Sequence, residues 1–332
     1  MREAFSKLGA ECIGIDEPDD TRLAEALAAA VDQGPVDVIY ERYALGKSVT
    51  SRFADANGIP LVLEVNAPLA DEQRRWRGGS NEANDLRHDA FTMGNACRIV
   101  AVSSDVARYS LQRGATPELI EVFPNGIDSE RFNLSAREDS IRHLLIPEGR
   151  FVIGFHGRLR PWHGFDMLVK VSIGLLQRGS DIHLLVVGEG DFDELEQLPE
   201  SRYTRVKWQP HKEIPRYVAA CDTLPLTYQA DMPCYFSPLK LTEAMACGVV
   251  PLVPALGDLP DAVKHLETGL VYKAGDRNQL EKQLQSLIAN RDFLETLGRK
   301  AAKEASRNTW ISIAGHVLEA AAECNRAVSQ GT

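Results

Sequence analysis

Nothing in this 332-residue chain approaches the run of ~18 apolar residues that a membrane-spanning helix needs. Its start, Met-Arg-Glu-Ala-Phe, lacks the apolar core of a signal peptide. The six cysteines (Cys12, Cys97, Cys221, Cys234, Cys247 and Cys324) form no Cys-x-x-Cys pair and no regular spacing. A disulfide framework and a thiolate zinc site are therefore not indicated. Cys221 and Cys247 lie in apolar contexts and read as small core residues. The eight histidines are scattered without His-x-x-x-His spacing, and no Asp-x-Asp directly follows an apolar strand as a metal-holding pair would. There is no phosphate-binding P-loop, no Gly-x-Ser-x-Gly nucleophile elbow, no internal repeat and no low-complexity tract. Positive charge is not in excess either: 37 Lys and Arg stand against 47 Asp and Glu, a net charge of −10. That excludes a sequence-independent nucleic-acid binder and disfavours a purely electrostatic hold on anionic lipid, although a local basic patch on one face is left open. These absences imply a reduced, cytoplasmic protein with no structural metal, whose contact with a membrane, if any, is peripheral and at the inner face.

What is present is an ordinary globular composition, 44% hydrophobic and 25% charged, at a length expected for two domains. Short apolar strand patterns alternate with helical ones. Strands are expected at 36–41, 60–65, 98–103 and 119–123, then at 151–156, 182–188, 205–209, 249–253 and 269–272. Helices are expected at 47–57, 81–94, 104–113, 164–176, 213–221, 239–247 and 276–290, with a helical tail from Thr309 to about Ala327. Continuously apolar strands joined by helices of this length indicate parallel sheets covered on both faces, with ligands at the carboxyl ends of the strands. The polar stretch 133–149 precedes a fresh strand at Phe151. The boundaries therefore read as 1–148, an N-terminal Rossmann-like domain; 149–305, a C-terminal Rossmann-like domain; and 306–332, a terminal helix.

The densest segment is Tyr235–Gly248, Tyr-Phe-Ser-Pro-Leu-Lys-Leu-Thr-Glu-Ala-Met-Ala-Cys-Gly. Ser237-Pro238 starts it as a loop, strong helix formers follow, and Gly248 is a stop signal. Such a helix points free backbone N–H groups and the positive end of its dipole at whatever lies before Pro238, which suits an anion. Lys240 adds a cation one turn in, and Glu243 adds a carboxylate able to accept hydrogen bonds from vicinal hydroxyls. A diphosphate with a ribose fits that set.

This segment resembles the donor-binding motif of retaining glycosyltransferases of the GT-B fold, the glycosyl transferases group 1 family, also called family four. Glu243 matches the second of two glutamates in the family's pattern, while Tyr235 stands where the first is usual. A sub-branch that reads Phe-Ser-Pro-Leu-Lys is followed closely. The resemblance implies two Rossmann-like domains facing across a cleft, with the acceptor on the N-terminal side, and a terminal helix that packs back on the N-terminal domain. It further implies transfer of a sugar from a nucleoside diphosphate donor to an acceptor hydroxyl with retention, and no metal or other cofactor. One departure is the start: Arg2–Ala10 resembles the end of the family's first helix leading into a strand at 11–15, so the first strand and its glycine loop are expected to be missing.

Other segments agree in order. Gly157-Arg158-Leu159-Arg160-Pro161-Trp162-His163-Gly164 follows a strand and precedes a helix. Negative charge grows on the β-phosphate as a donor is cleaved, and a guanidinium can stabilise it bidentately. Arg158 is the first candidate for that role and Arg160 the second; His163 replaces the family's usual lysine and could donate a hydrogen bond. Gly188-Glu189-Gly190 ends a strand, where the backbone either approaches a ligand or simply turns. His211 lies in a segment resembling one that cups the nucleobase, with a capping or surface role as the competing reading. Tyr235, Phe236, Ser237, Pro238 and Leu239 complete the donor set. Arg42, Glu64 and Asn66 end two strands and could meet the acceptor, although Arg42 could equally form a structural ion pair with Glu41. Nothing locates a protein nucleophile. Arg158, Lys240 and Glu243 are the residues expected to carry the chemistry. The rival class is a non-catalytic nucleotide-sugar binding or scaffold protein with a degenerate GT-B fold, which Tyr235, His163 and the opening of the chain would favour.

Overall fold

The computed structural model describes residues 1–78, 82–231, 234–235 and 237–330. The chain forms two compact units: Met1–Gly126 with Tyr235–Ser237 and Trp310–Thr332, and Ile127–Cys234 with Pro238–Thr309. Each carries a parallel sheet, as the alternation of short apolar strands and helices leads one to expect.

In the first unit β1 (Ile39–Arg42), β2 (Leu61–Val65), β3 (Arg98–Ala101) and β4 (Ile120–Val122) lie side by side in that order, every pairing parallel. Successive side chains point to opposite faces of a strand, and both faces here are covered. Leu63, Val65, Ile99 and Ala101 pack with Met93 on one face. Val62 and Val100 pack on the other with Phe5, Ile313 and Val317, so the helix Trp310–Gln330 closes that side. The segment 11–15, expected as a strand, has no regular structure. Its residues are mostly exposed, Ile13 at 52%, so pairing would bury no apolar face.

The second unit has six strands: β5 (Phe151–His156), β6 (Ile182–Val187), β7 (Tyr203–Val206), β8 (Thr223–Pro225), β9 (Val250–Pro254) and β10 (Leu270–Tyr272). Their order is β10-β9-β8-β5-β6-β7. The chain moves outward one way from β5 through β6 to β7, then returns to β5's other side and moves outward through β8, β9 and β10. This is the doubly wound order, and its switch point, where ligand crevices form, lies at the carboxyl ends of β5 and β8. β8 escaped the sequence reading because it is three residues long, contains Pro225 and lacks an apolar run. Burial on both faces, not propensity, makes it a strand. Residues 127–148, placed by sequence with the N-terminal domain, pack with the second unit. Arg137 donates from Nε to the Cys247 carbonyl at 3.1 Å and from an Nη to that of Gly248 at 2.6 Å, anchoring the stretch to the end of the Leu239–Ala246 helix.

Just past the end of that helix, Gly248 meets Gly298 of the helix Arg291–Ala305 backbone to backbone. A Cβ on Gly298 would lie 2.3 Å from the Gly248 carbonyl oxygen, and a backbone atom cannot yield as a side chain can. Gly298→Ala should therefore cost about 1–3 kcal/mol, the usual range for overpacking, read as a lower midpoint in urea unfolding. An unchanged midpoint would show that the contact can open.

Candidate functional site

The Leu239–Ala246 helix follows Pro238, which stands just before the first turn rather than inside it. Leu241, Ala244 and Met245 are buried and fix the helix against the sheet. Lys240 and Glu243, three apart, share another face. A small cavity of about 10 Å³, room for roughly one water molecule, lies at the switch point, lined by Phe155 and His156 from the end of β5, Leu224–Tyr228 from β8 and beyond, His163, and Lys240, with Glu243 joined to it through His156.

Glu243 is 5% exposed, and both its oxygens have partners. His156 Nε2 lies 2.7 Å from Oε2, and His211 Nε2 lies 3.0 Å from Oε1. Burial alone would raise the carboxyl pKa, but hydrogen bonds and charge interactions with the two imidazoles outweigh it and bring it down to about 2. The pull is mutual for His211, whose pKa is raised chiefly by its bond to Glu243. His156 was not singled out from the sequence; the available signal was a polar residue closing an otherwise apolar strand, Phe-Val-Ile-Gly-Phe-His. Its Nδ1 is buried without a hydrogen-bond partner among the described residues.

Lys240 is partly exposed as a residue, but its ammonium end is enclosed. Among the described residues its partners are His163 Nε2 at 3.2 Å and the Phe155 ring, 4.7 Å to the centroid, rather than a carboxylate. His163 is buried, and its Nδ1 faces the Arg160 backbone N–H at 3.1 Å. The turn that delivers His163 depends on Gly164 (φ +59°), where a Cβ would strike the Thr227 carbonyl oxygen at 2.0 Å.

Other candidates stand apart from this cluster. Arg158 is exposed and pairs with Glu189 at 2.6 Å; Arg160 is exposed too. Gly157 and Gly188 hold two strand ends in backbone contact, since a Cβ on Gly188 would lie 2.2 Å from the Gly157 oxygen. Close packing therefore accounts for Gly188. Tyr235 and Ser237 belong by their packing to the first unit: the Tyr235 hydroxyl donates to Glu72 Oε1 at 2.6 Å, the Ser103 hydroxyl donates to the Tyr235 carbonyl, and the Asn125 N–H donates to Ser237 Oγ at 2.9 Å. Pro238 and Leu239 open the helix, Leu239 with its side chain exposed, and Phe236 lies outside the described residues. On the first unit, Arg42 pairs with Glu64 at 3.4 Å rather than with Glu41. Glu64 is buried, Asn66 follows it half-buried, and Glu41 bonds to Thr50.

Comparisons with known proteins agree with this organisation. The family model "Glycosyl transferases group 1" matches residues 136–304, and "Glycosyltransferase Family 4" matches 15–131. A D-inositol 3-phosphate glycosyltransferase of Nocardia farcinica is 26% identical over 332 residues, covering 92% of this chain and 72% of that protein. Its counterpart in Rhodococcus erythropolis is 26% identical over 328 residues, covering 92% and 74%. Among solved structures, Anabaena Alr3699/HepE in complex with UDP superposes with a TM-score of 0.73 at 24% identity, covering 92% of this chain and 84% of that one. The sucrose-phosphate synthase of Thermosynechococcus elongatus gives 0.72 at 21% identity, covering 92% and 78%. At these identities the structural likenesses speak to the fold.

Proposed function

The chain belongs to the glycosyl transferases group 1 family, is a glycosyltransferase of GT-B fold, and we propose that it moves a sugar from a nucleoside diphosphate donor to an acceptor hydroxyl with retention and without a metal. The carrying observation is that one helix brings Lys240 and Glu243 together at the switch point of the second sheet, where ligand crevices form. In this reading Glu243 takes the ribose hydroxyls, while Lys240, Arg158 and the free N–H groups of the helix start take the diphosphate. The leaving phosphate itself can accept the acceptor's proton, so no protein nucleophile is required. His211 and Arg160 border the donor. Tyr235 and Ser237 are better explained as packing residues of the first unit. Arg42 and Asn66 are proposed for the acceptor, with Glu64 holding Arg42.

Uridine is the base to test first, since structural neighbours are named as complexes with UDP, and inositol phosphates lead the acceptors because the curated relatives are named for one. No described helix is long and apolar enough to cross a membrane. We place the reaction in the cytoplasm, where unpaired thiols stay reduced.

The test is thermal unfolding against UDP-, GDP-, ADP- and TDP-sugars. A ligand that binds only the folded chain stabilises it by RT ln(1 + [L]/Kd), about 2.7 kcal/mol at a hundredfold excess over Kd. A UDP-sugar should raise the midpoint of the parent chain, and Arg158→Ala should weaken the shift by roughly tenfold in apparent Kd, the worth of one charged hydrogen bond. If no nucleotide shifts the midpoint, the fold has been kept without the donor site, and the rival reading of a scaffold protein with a degenerate GT-B fold leads.

A further inference from the structure

The hydrogen bonds around His163 fix more than its orientation. The Arg160 backbone N–H can only donate, and it points at His163 Nδ1 from 3.1 Å. Nδ1 must therefore offer a lone pair, and a neutral imidazole then carries its proton on Nε2. That Nε2–H faces Lys240 Nζ at 3.2 Å. An ammonium has three donors and no acceptor, so an ammonium there would set two donors against each other. A neutral amine, with its lone pair, accepts the bond.

We propose that Lys240 is held as a neutral amine by His163, and that it takes up a proton when a diphosphate binds. Here the proton comes from solvent and is taken by the lone pair that accepted from His163; the ammonium so formed turns away from the Nε2–H to direct its N–H groups at a phosphate oxygen, and His163 keeps its own proton. His163 is then a positioning residue: it sets the lysine's protonation state and touches no substrate. The uptake half of this proposal rests on the donor site described above; the neutral amine does not.

The surroundings agree. Burial brings the Lys240 pKa down to about 7 against a weaker opposing pull from Glu243, and burial with Lys240 and Arg160 nearby brings His163 down to about 3. The groups that face the amine are His163 on the Arg160 turn, Phe155 and His156 at the end of β5, Tyr228 beyond β8 and Glu243 on its own helix. Of these only Glu243 is anionic, and both its oxygens are engaged by histidines.

The experiment is a pH titration of the intact chain labelled with ¹³C at lysine Cε, with the Lys240 signal assigned by its loss in Lys240→Arg. The expected midpoint is near neutrality, some three pH units below the other lysines, moving upward in His163→Ala, where water can reach the amine. A Lys240 midpoint in the ordinary lysine range overturns the proposal. The second arm is calorimetric binding of UDP-glucose at pH 8 in buffers of different ionisation enthalpy, a donor that itself does not titrate in this range. Uptake approaching one proton, absent in Lys240→Arg, is expected; binding without uptake overturns the proposal. Failure of UDP-glucose to bind, with a near-neutral Lys240 midpoint, would count against the donor site and leave the amine standing.

Discussion

Lys240→Met should lower kcat/KM by roughly 10²–10³, the usual effect of removing one group that stabilises developing charge, while leaving the chain at least as stable as its parent. Loss of function and loss of stability ordinarily travel together; here they should separate. Charge growing on the β-phosphate needs a cation close by, and Lys240, protonated as the donor binds, is the enclosed group that supplies it, whereas Arg158 is exposed and already paired with Glu189. Yet enclosing this lysine is a cost to folding, because on burial it must either keep its charge without a carboxylate partner or give up its proton, and methionine removes that cost with little change in volume. The pH dependence follows from the same lowered value. Lys240 titrates near 7 in the folded chain and at 10.5 when unperturbed. Between those values the unfolded chain holds a proton that the folded chain lacks, so stability rises with pH across that window. The variant lacks that rise, and its advantage should be largest below pH 7 and vanish towards 10.5. Activity runs the other way: kcat/KM reports the free enzyme and should fall as pH rises through about 7. Lys240→Arg, always charged, should lose that limb. Urea unfolding and initial rates from pH 6 to 10 test both; a destabilised Lys240→Met with a parent-like pH profile would remove Lys240 from the chemistry.

The parts of this site that were legible in the sequence are those written in local signals. Ser-Pro followed by helix formers and a glycine announced the Leu239–Ala246 helix, and the three-residue spacing put Lys240 and Glu243 on one face. Long apolar strands such as β5 and β6, buried end to end, were equally readable. What escaped depends on neighbours distant in the chain. β8 is a strand because β5 and β9 flank it. His156 became a partner of Glu243 only when residues 87 positions apart were brought together. Tyr235 read as a donor residue by adjacency to the motif, yet its hydroxyl and carbonyl are satisfied by Glu72 and Ser103, over 130 residues earlier. Protonation states were the least legible of all, since His163 could be read as a hydrogen-bond donor but its recipient, a lysine, could not.

Glu243→Gln should weaken donor binding by roughly 10–100-fold, as expected for losing charged hydrogen bonds to a ribose, and should also lower stability, in contrast to the lysine variant. The carboxylate accepts from two imidazoles at once. An amide can accept on one side only and turns an N–H₂ toward the other histidine, which must move its proton to Nδ1 to accept; at His156 that leaves a buried N–H without an acceptor among the described residues, a cost of about 1–3 kcal/mol. The sign of its pH dependence is the same as that of Lys240, stability rising with pH, but the cause differs: here the folded chain favours the charged form. Glu243 titrates at about 2 when folded and at 4.5 when unperturbed, so its contribution is fully present above about 4.5 and is lost as pH falls through about 2. Parent and variant should therefore differ most near neutrality and converge in acid. Donor binding has its own acid limit. His211 is exposed, and its hydrogen bond to Glu243 raises its pKa. Once protonated it holds Oε1 more tightly against an incoming ribose, so donor affinity should decline as pH falls through that raised value. His211→Ala should flatten the decline, whereas the buried bond from His156 would keep the carboxylate in place. Binding isotherms for UDP-glucose between pH 5 and 8, on the parent, Glu243→Gln and His211→Ala, separate the two effects. If affinity in the parent is level across that range, His211 does not compete for the carboxylate; if Glu243→Gln binds as tightly as the parent, the ribose is held elsewhere.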